Sequence, residues 1–121
     1  MTRYLVPAFI KSAIHRGVSV EQFLGGFDAD GEPALRYMEL RPKEDRVELW
    51  VHEVYDQGDE SYLDLYDFTP LDDDAEDEPA TQALTLDEAL ALARDRFGAH
   101  PDRWVHEGVI QDEYLDYLRS R

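Results

Sequence analysis

The sequence predicts an α+β fold, in which a three- or four-stranded antiparallel sheet (a meander) has helices before and after it, packed mainly on one face. Apolar residues recur at helical spacing near both ends of the chain and alternate along its middle, and the links between the alternating segments suit hairpins. The length of 121 residues and the apolar content of 43% further predict one domain, 1–121, with a sizeable core.

The N-terminal segment predicts two helices. Pro7 suits the first turn of a helix over residues 7–15, because the N–H that proline lacks has no helical partner there. Ser19 and Gln22 have the spacing of a capping box, in which side chains and backbone amides of the first turn bond reciprocally. A short second helix is therefore expected over residues 20–24, ended by the pair of glycines that follows.

Three segments predict strands, at residues 33–40, 47–55 and 62–68. The middle segment alternates most clearly, with aliphatic residues on one face and tryptophan, histidine and valine on the other. The links at 41–45 and 56–60 contain five residues each, a length that suits hairpins. Consecutive hairpins give a meander.

The C-terminal third again predicts helices. Thr85 and Glu88 form a second capping-box pattern, and Gly98 suits the end of the helix that follows. A final helix is expected over about 109–119. Between the strands and these helices, the acidic run at 72–79 predicts a solvated, flexible loop.

Charge is distributed unevenly along the chain. The net charge is −16, and residues 47–93 contain fifteen Asp or Glu residues and no Lys or Arg. This field has the wrong sign for nucleic acid or an anionic membrane, so no partner of either kind is expected. A basic protein partner is the simplest interpretation of such a block, and acidity that serves only solubility is the alternative.

Two further features of the sequence indicate the cellular compartment. The chain contains no cysteine, which excludes disulfides and thiolate chemistry and fits a reducing compartment. No apolar run approaches 18 residues, and no signal-peptide core follows the first methionine. The expected location is the cytoplasm.

No residue pattern specifies a reaction. Asp28, Asp30, Glu32 and Glu39 have the spacing of four calcium-loop ligands, but Pro33 replaces the glycine that such a loop requires. The HExxH, GxSxG, P-loop and dinucleotide-binding patterns are all missing from the sequence. We therefore predict no catalytic, cofactor-binding or metal-binding residues and no enzymatic activity.

Aromatic and acidic residues alternate across the second and third predicted strands and the turn between them. Aromatic side chains provide contact area and carboxylates pair with Arg or Lys, which is what capture of a basic surface requires. We expect the carboxylates at this turn to be exposed. The alternative is that the aromatic residues are core and the acids a solvated rim. The predicted partner-binding residues are Trp50, Glu53, Tyr55, Asp56, Asp59, Glu60, Tyr62, Asp64 and Tyr66.

In size, acidity, lack of cysteine and α+β pattern, the whole chain resembles the small immunity proteins of bacterial toxin systems. The resemblance implies a non-catalytic inhibitor that covers a basic toxin, often a nuclease, in the bacterial cytoplasm. The resemblance includes no shared sequence motif, so it assigns no functional residue in this chain. Two alternatives stay open: a small soluble domain with no toxin partner, and a small-molecule-binding or hydrolytic domain. The sequence leaves the oligomeric state open.

Overall fold

A computed structural model describes residues 3–73, 78–81 and 84–121, which contain three helices and a four-stranded antiparallel sheet. The strands lie side by side in the order β3-β2-β1-β4, so the three long strands form a meander. This confirms the predicted α+β class, with helices before and after an antiparallel sheet. In chain order the elements are α1 (Pro7–His15), β1 (Val20–Ala29), β2 (Glu32–Lys43), β3 (Arg46–Tyr55), a 3₁₀ turn (Leu65–Asp67), α2 (Leu86–Phe97), β4 (Val105–His106) and α3 (Ile110–Ser120).

The predicted helix over residues 20–24 is wrong, because these residues begin β1. Ser19 does not cap a helix; its Oγ donates to Glu39 Oε2 at 3.0 Å. β1 pairs with β2 along its whole length, and the register shifts once, next to Gly25, whose φ of 100° a side chain would disfavour. The glycine pair thus permits an irregular strand instead of ending a helix, and the long ladder outweighs the local capping pattern.

The predicted strand over residues 62–68 is also wrong. This segment contains the 3₁₀ turn, and its buried residues Leu65 and Phe68 are three positions apart instead of two. A spacing of three places both side chains on one side of a 3₁₀ turn. The strand that completes the meander is instead β1.

Residues on both sides of the acidic run cover the outer edge of β3. The Tyr55 amide donates to Thr69 O, and the Leu71 amide donates to Glu53 O. Further along, the amide of Ala80 donates to Leu49 O, and Leu84 pairs with Val47 in both directions. These bonds satisfy edge groups that would otherwise be open to pairing with another chain. The central part of the predicted flexible loop, residues 74–77, lies outside the described residues.

Apolar clusters lie on both faces of the sheet, because successive strand side chains point to opposite faces. One cluster joins Met38 and Leu40 to α1 and α2. The other joins Leu35 and Tyr37 to α3 and the segment around the 3₁₀ turn. Two of the three described helices therefore pack on one face. None of these helices is long and apolar enough to cross a membrane.

The predicted ends of the helices are confirmed where the signals are local. Pro7 occupies the first turn of α1. Thr85 and Glu88 form a complete capping box at the start of α2, with bonds of 3.2 and 3.0 Å, and Gly98 ends the helix in a left-handed conformation. α1 and α2 thus cover one face of the sheet, and α3 covers part of the other, where polar side chains also lie.

Candidate functional site

A depression of about 380 Å³ opens on the sheet face that packs against α3. Glu21, Glu39 and Trp50 lie directly opposite one another on β1, β2 and β3, so two carboxylates face each other across neighbouring strands. Like charges in this arrangement destabilise a sheet unless they find partners. The depression is lined by Glu21, Glu39, Arg41, Tyr66, Glu107 and Gly108.

Glu39 has a full set of partners. Arg41 donates to both of its carboxylate oxygens, at 2.9 and 3.0 Å, Ser19 donates at 3.0 Å, and His52 Nε2 lies 3.3 Å from Oε1. Burial opposes the charge on Glu39, but the bonds from His52, Arg41 and Ser19 outweigh it and lower the pKa of this carboxyl to about 2. Glu39 is therefore ionised at neutral pH and forms an ion pair with Arg41.

Glu21 has a different environment, although it lies in the same depression and is only 2% exposed. Its Oε1 accepts a bond of 2.6 Å from the Tyr66 hydroxyl and one of 3.1 Å from the Gly108 amide. Burial raises the pKa of Glu21, and the nearby charges of Glu39 and Glu107 add to the increase. Both donors are uncharged, so the cost of burying this carboxylate is only partly offset.

Aromatic rings support the depression from the β3 side. The guanidinium of Arg41 lies 3.9 Å from the centre of the Trp50 ring, a cation–π distance. Trp50 also stacks on His52, and His52 stacks on Tyr37 at 4.7 Å. This part of the face thus binds one guanidinium between a carboxylate and an aromatic ring.

A second feature, which we call the acidic surface, adjoins the depression through Tyr66. It consists of the exposed residues Asp59, Glu60, Tyr62, Tyr66 and Asp67. Tyr62 is 40% exposed and donates to Asp67 at 2.5 Å, a bond that raises the pKa of its hydroxyl to about 12. Within the described residues, Glu60 pairs with Arg119, whereas no Lys or Arg pairs with Asp59 or Asp67.

The structure separates the predicted partner-binding residues into two groups. Tyr62, Tyr66, Asp59 and Glu60 belong to the acidic surface, and Trp50 is buried beside the depression, 8% exposed. The other residues have internal partners or are partly buried. Glu53 pairs with Arg36, and Tyr55 is half-buried. The expected exposure of the Asp64 carboxylate is wrong, because Asp64 is half-buried and its Oδ1 is buried without a hydrogen-bond partner in the described chain.

The expected exposure of Asp56 is wrong, because its side chain is only 3% exposed. Tyr114 donates to Asp56 Oδ1, and Arg121 donates to Oδ2 at 2.8 Å. Asp56 therefore ties the end of β3 to α3 and the C-terminal residue. The reason is tertiary, because Tyr114 and Arg121 lie about half the chain away in sequence.

Sequence reasoning missed Glu21, Glu39, Arg41 and Glu107 as members of a site. A signal existed for two of them, since Glu39 and Arg41 alternate with buried Met38 and Leu40 and so had to share the opposite face. Glu21 gave no such signal while residues 19–22 were interpreted as a helix start. Glu107 reaches the site only through the pairing of β4 with β1.

A larger cleft, of about 720 Å³, lies between α1, the β2–β3 turn and the start of α2. None of its lining residues is buried, and Thr85 within it already caps a helix. It lacks the buried polar groups that orient a ligand. In the part of the chain that the structure describes, no three His, Asp or Glu residues are grouped to hold a metal ion.

Comparison with known proteins adds no assignment. No family model, curated protein or solved structure matches the chain.

Proposed function

We propose that this protein is a non-catalytic acidic domain that binds and inhibits a basic protein partner. The acidic surface carries this proposal, because it displays carboxylates around two exposed tyrosines. Carboxylates pair with Arg and Lys, while tyrosine adds a large contact area at low cost in conformational entropy. We further propose that the partner is a toxin in the bacterial cytoplasm, as for the immunity proteins that the chain resembles.

The pattern of internal ion pairs supports the choice of surface. Arginines from other parts of the chain pair with three acids of the central block: Arg36 with Glu53, Arg121 with Asp56, and Arg119 with Glu60. Asp59 and Asp67 instead accept bonds only from uncharged groups of their own segment among the described residues. Among the described residues, these two carboxylates without an internal base therefore lie in the segment that exposes the two tyrosines.

The charge would act mainly on association. A negative field at the surface attracts a basic partner from a distance and raises the association rate, and salt screens this attraction. The segment around the 3₁₀ turn, whose Leu65 and Phe68 are buried in the core, would then hold the tyrosines against the partner. Inhibition needs only that the bound domain cover the partner's working surface.

The test compares two variants with the same change of net charge. Asp59→Asn, Glu60→Gln and Asp67→Asn remove three charges from the acidic surface and keep an acceptor oxygen at each position. Glu32→Gln, Asp87→Asn and Asp102→Asn remove three exposed charges elsewhere. Partners are captured from the native host, and association kinetics are measured at two ionic strengths.

We expect the first variant to associate roughly tenfold more slowly than wild type at low salt, and the second to change far less. Higher salt should slow the wild type. The captured partner should be toxic when expressed alone and harmless when co-expressed with this protein. Equal association rates for the two variants, with no salt effect, would mean that the acidity serves only solubility.

A further inference from the structure

The depression on the sheet contains more carboxylate than its own bases neutralise. Arg41 and His52 both serve Glu39. Glu21, which is more deeply buried than Glu39, accepts only from the Tyr66 hydroxyl and the Gly108 amide among the described residues, and both bonds end on Oε1. The lone pairs of Oε2 are thus left for another donor.

The lining around Glu21 is suited to a cation. Glu107 is exposed and adds a second carboxylate to the lining, and Tyr66, which also lines the depression, is 48% exposed. A buried carboxylate with uncharged donors is stabilised when a cation approaches, because the attraction acts in a medium of low dielectric constant. The volume of about 380 Å³ lies within the range of small-ligand sites.

We propose that this depression binds the guanidinium of an arginine side chain presented by the partner, with Glu21 and Glu107 as its carboxylate ligands. The inference rests on the proposed function and names the group that the partner inserts. Guanidinium is favoured over ammonium because it is planar, donates to two carboxylates at once and stacks on aromatic rings. The same face already holds Arg41 in this way, between Glu39 and Trp50.

The experiment uses a small probe, so that it does not depend on finding the partner. N-acetylargininamide is titrated into the ¹⁵N-labelled protein, and N-acetylcitrullinamide, its uncharged isostere, is the control ligand. The Gly108 amide is the reporter, because it bonds both Glu21 and Tyr66. We expect a saturable shift of this amide with a millimolar Kd for the arginine derivative, and no saturable shift for the citrulline derivative.

Variants locate the site. Glu21→Gln and Glu107→Gln should each raise the Kd at least threefold, whereas Glu32→Gln, an exposed acid on the β1–β2 hairpin, should leave it unchanged. Glu107 is exposed, so its variant keeps the test decisive even if Glu21→Gln impairs folding. Equal shifts with the two ligands, an unchanged Kd in Glu107→Gln, or shifts confined to residues 59–62 would each overturn the inference.

Failure of this inference is distinguishable from failure of the proposed function. If the arginine derivative does not bind but the acidic-surface variant still slows association, the depression is not the contact and the function stands. If the derivative binds but neutralising the acidic surface has no effect on association, the proposed function fails.

Discussion

Glu39 and Glu21 are neighbouring buried carboxylates with opposite electrostatic environments. Arg41, His52 and Ser19 hold the pKa of Glu39 well below its ordinary value of 4.5, whereas burial raises the pKa of Glu21. A lowered pKa means that ionised Glu39 stabilises the fold above about pH 4.5, and that this contribution declines as the pH falls toward 2. A raised pKa means that Glu21 costs stability as the pH rises through its folded-state value.

Substitution by glutamine should therefore act in opposite directions at the two positions. At pH 7, Glu39→Gln should lower the free energy of unfolding by about 3 kcal/mol, because it leaves Arg41 without its counter-charge and weakens the acceptor of the bonds from Ser19 and His52. Glu21→Gln should raise it, since an amide can still accept the bonds from Tyr66 and Gly108.

Urea unfolding at pH 7, 5 and 3 measures both effects. The loss in Glu39→Gln should shrink between pH 4.5 and 2, and the gain in Glu21→Gln should vanish below pH 4.5. Equal destabilisation by the two substitutions at pH 7 would contradict this account of the depression.

Short-range signals were predictable at the residue scale, and partners distant in sequence were not. Thr85 and Ser19 have nearly the same pattern, yet only Thr85 caps a helix. Both capping-box bonds of Thr85 connect residues three positions apart, so the sequence contains all the information. The partner of Ser19 is Glu39, twenty positions away, and only the pairing of β1 with β2 brings the two together.

At the scale of elements, the acidic run connects two fixed points on the edge of β3. The Leu71 amide bonds Glu53 O, and the Ala80 amide bonds Leu49 O. Glu53 and Leu49 are four residues apart on an extended strand, roughly 13 Å. The residues between Leu71 and Ala80 must span about this distance. Both edge bonds can therefore form only if enough residues separate these two anchors.

Deleting residues 72–78 should therefore destabilise the protein. Only Pro79 would remain between the two anchors, and two peptide links reach at most about 7 Å. At least one edge bond must break, at a cost of roughly 1–3 kcal/mol. Replacing the same seven residues with a Gly/Ser segment of equal length keeps the span and removes six negative charges, so its melting temperature should be at least that of the wild type.

Thermal unfolding of the two variants provides the measurement. If the deletion variant and the replacement variant melt at the same temperature, the stability of the protein does not depend on the length of the link between Leu71 and Ala80.

For the whole molecule, the net charge of −16 predicts a response to salt. Self-repulsion destabilises the compact state, and salt screens it. Raising the NaCl concentration from about 20 to about 300 mM should increase the free energy of unfolding by about 1 kcal/mol, which raises Tm by roughly 4 °C. Neutralising Asp59, Glu60 and Asp67 should reduce the increase. A Tm that falls with salt would show that screening of internal ion pairs, such as Arg36 with Glu53, outweighs the relief of repulsion.

The sequence was enough to predict the fold class, because periodicity, hairpin-length links and local caps are properties of neighbouring residues. It also determined the charge imbalance and the helices with local signals, α1, α2 and α3. That residues 1–121 form one domain stays a prediction.

The folded structure was needed to show that residues 20–24 form a strand and residues 62–68 do not, since strand pairing is a choice among distant segments. It also decided which acids are neutralised. Arginines from outside the central block bind Glu53, Asp56 and Glu60, and β-sheet register places Glu21 beside Glu39. The physical reason is the same in each case. The free energy of burying a charge or pairing a strand depends on residues that are close in space and remote along the chain.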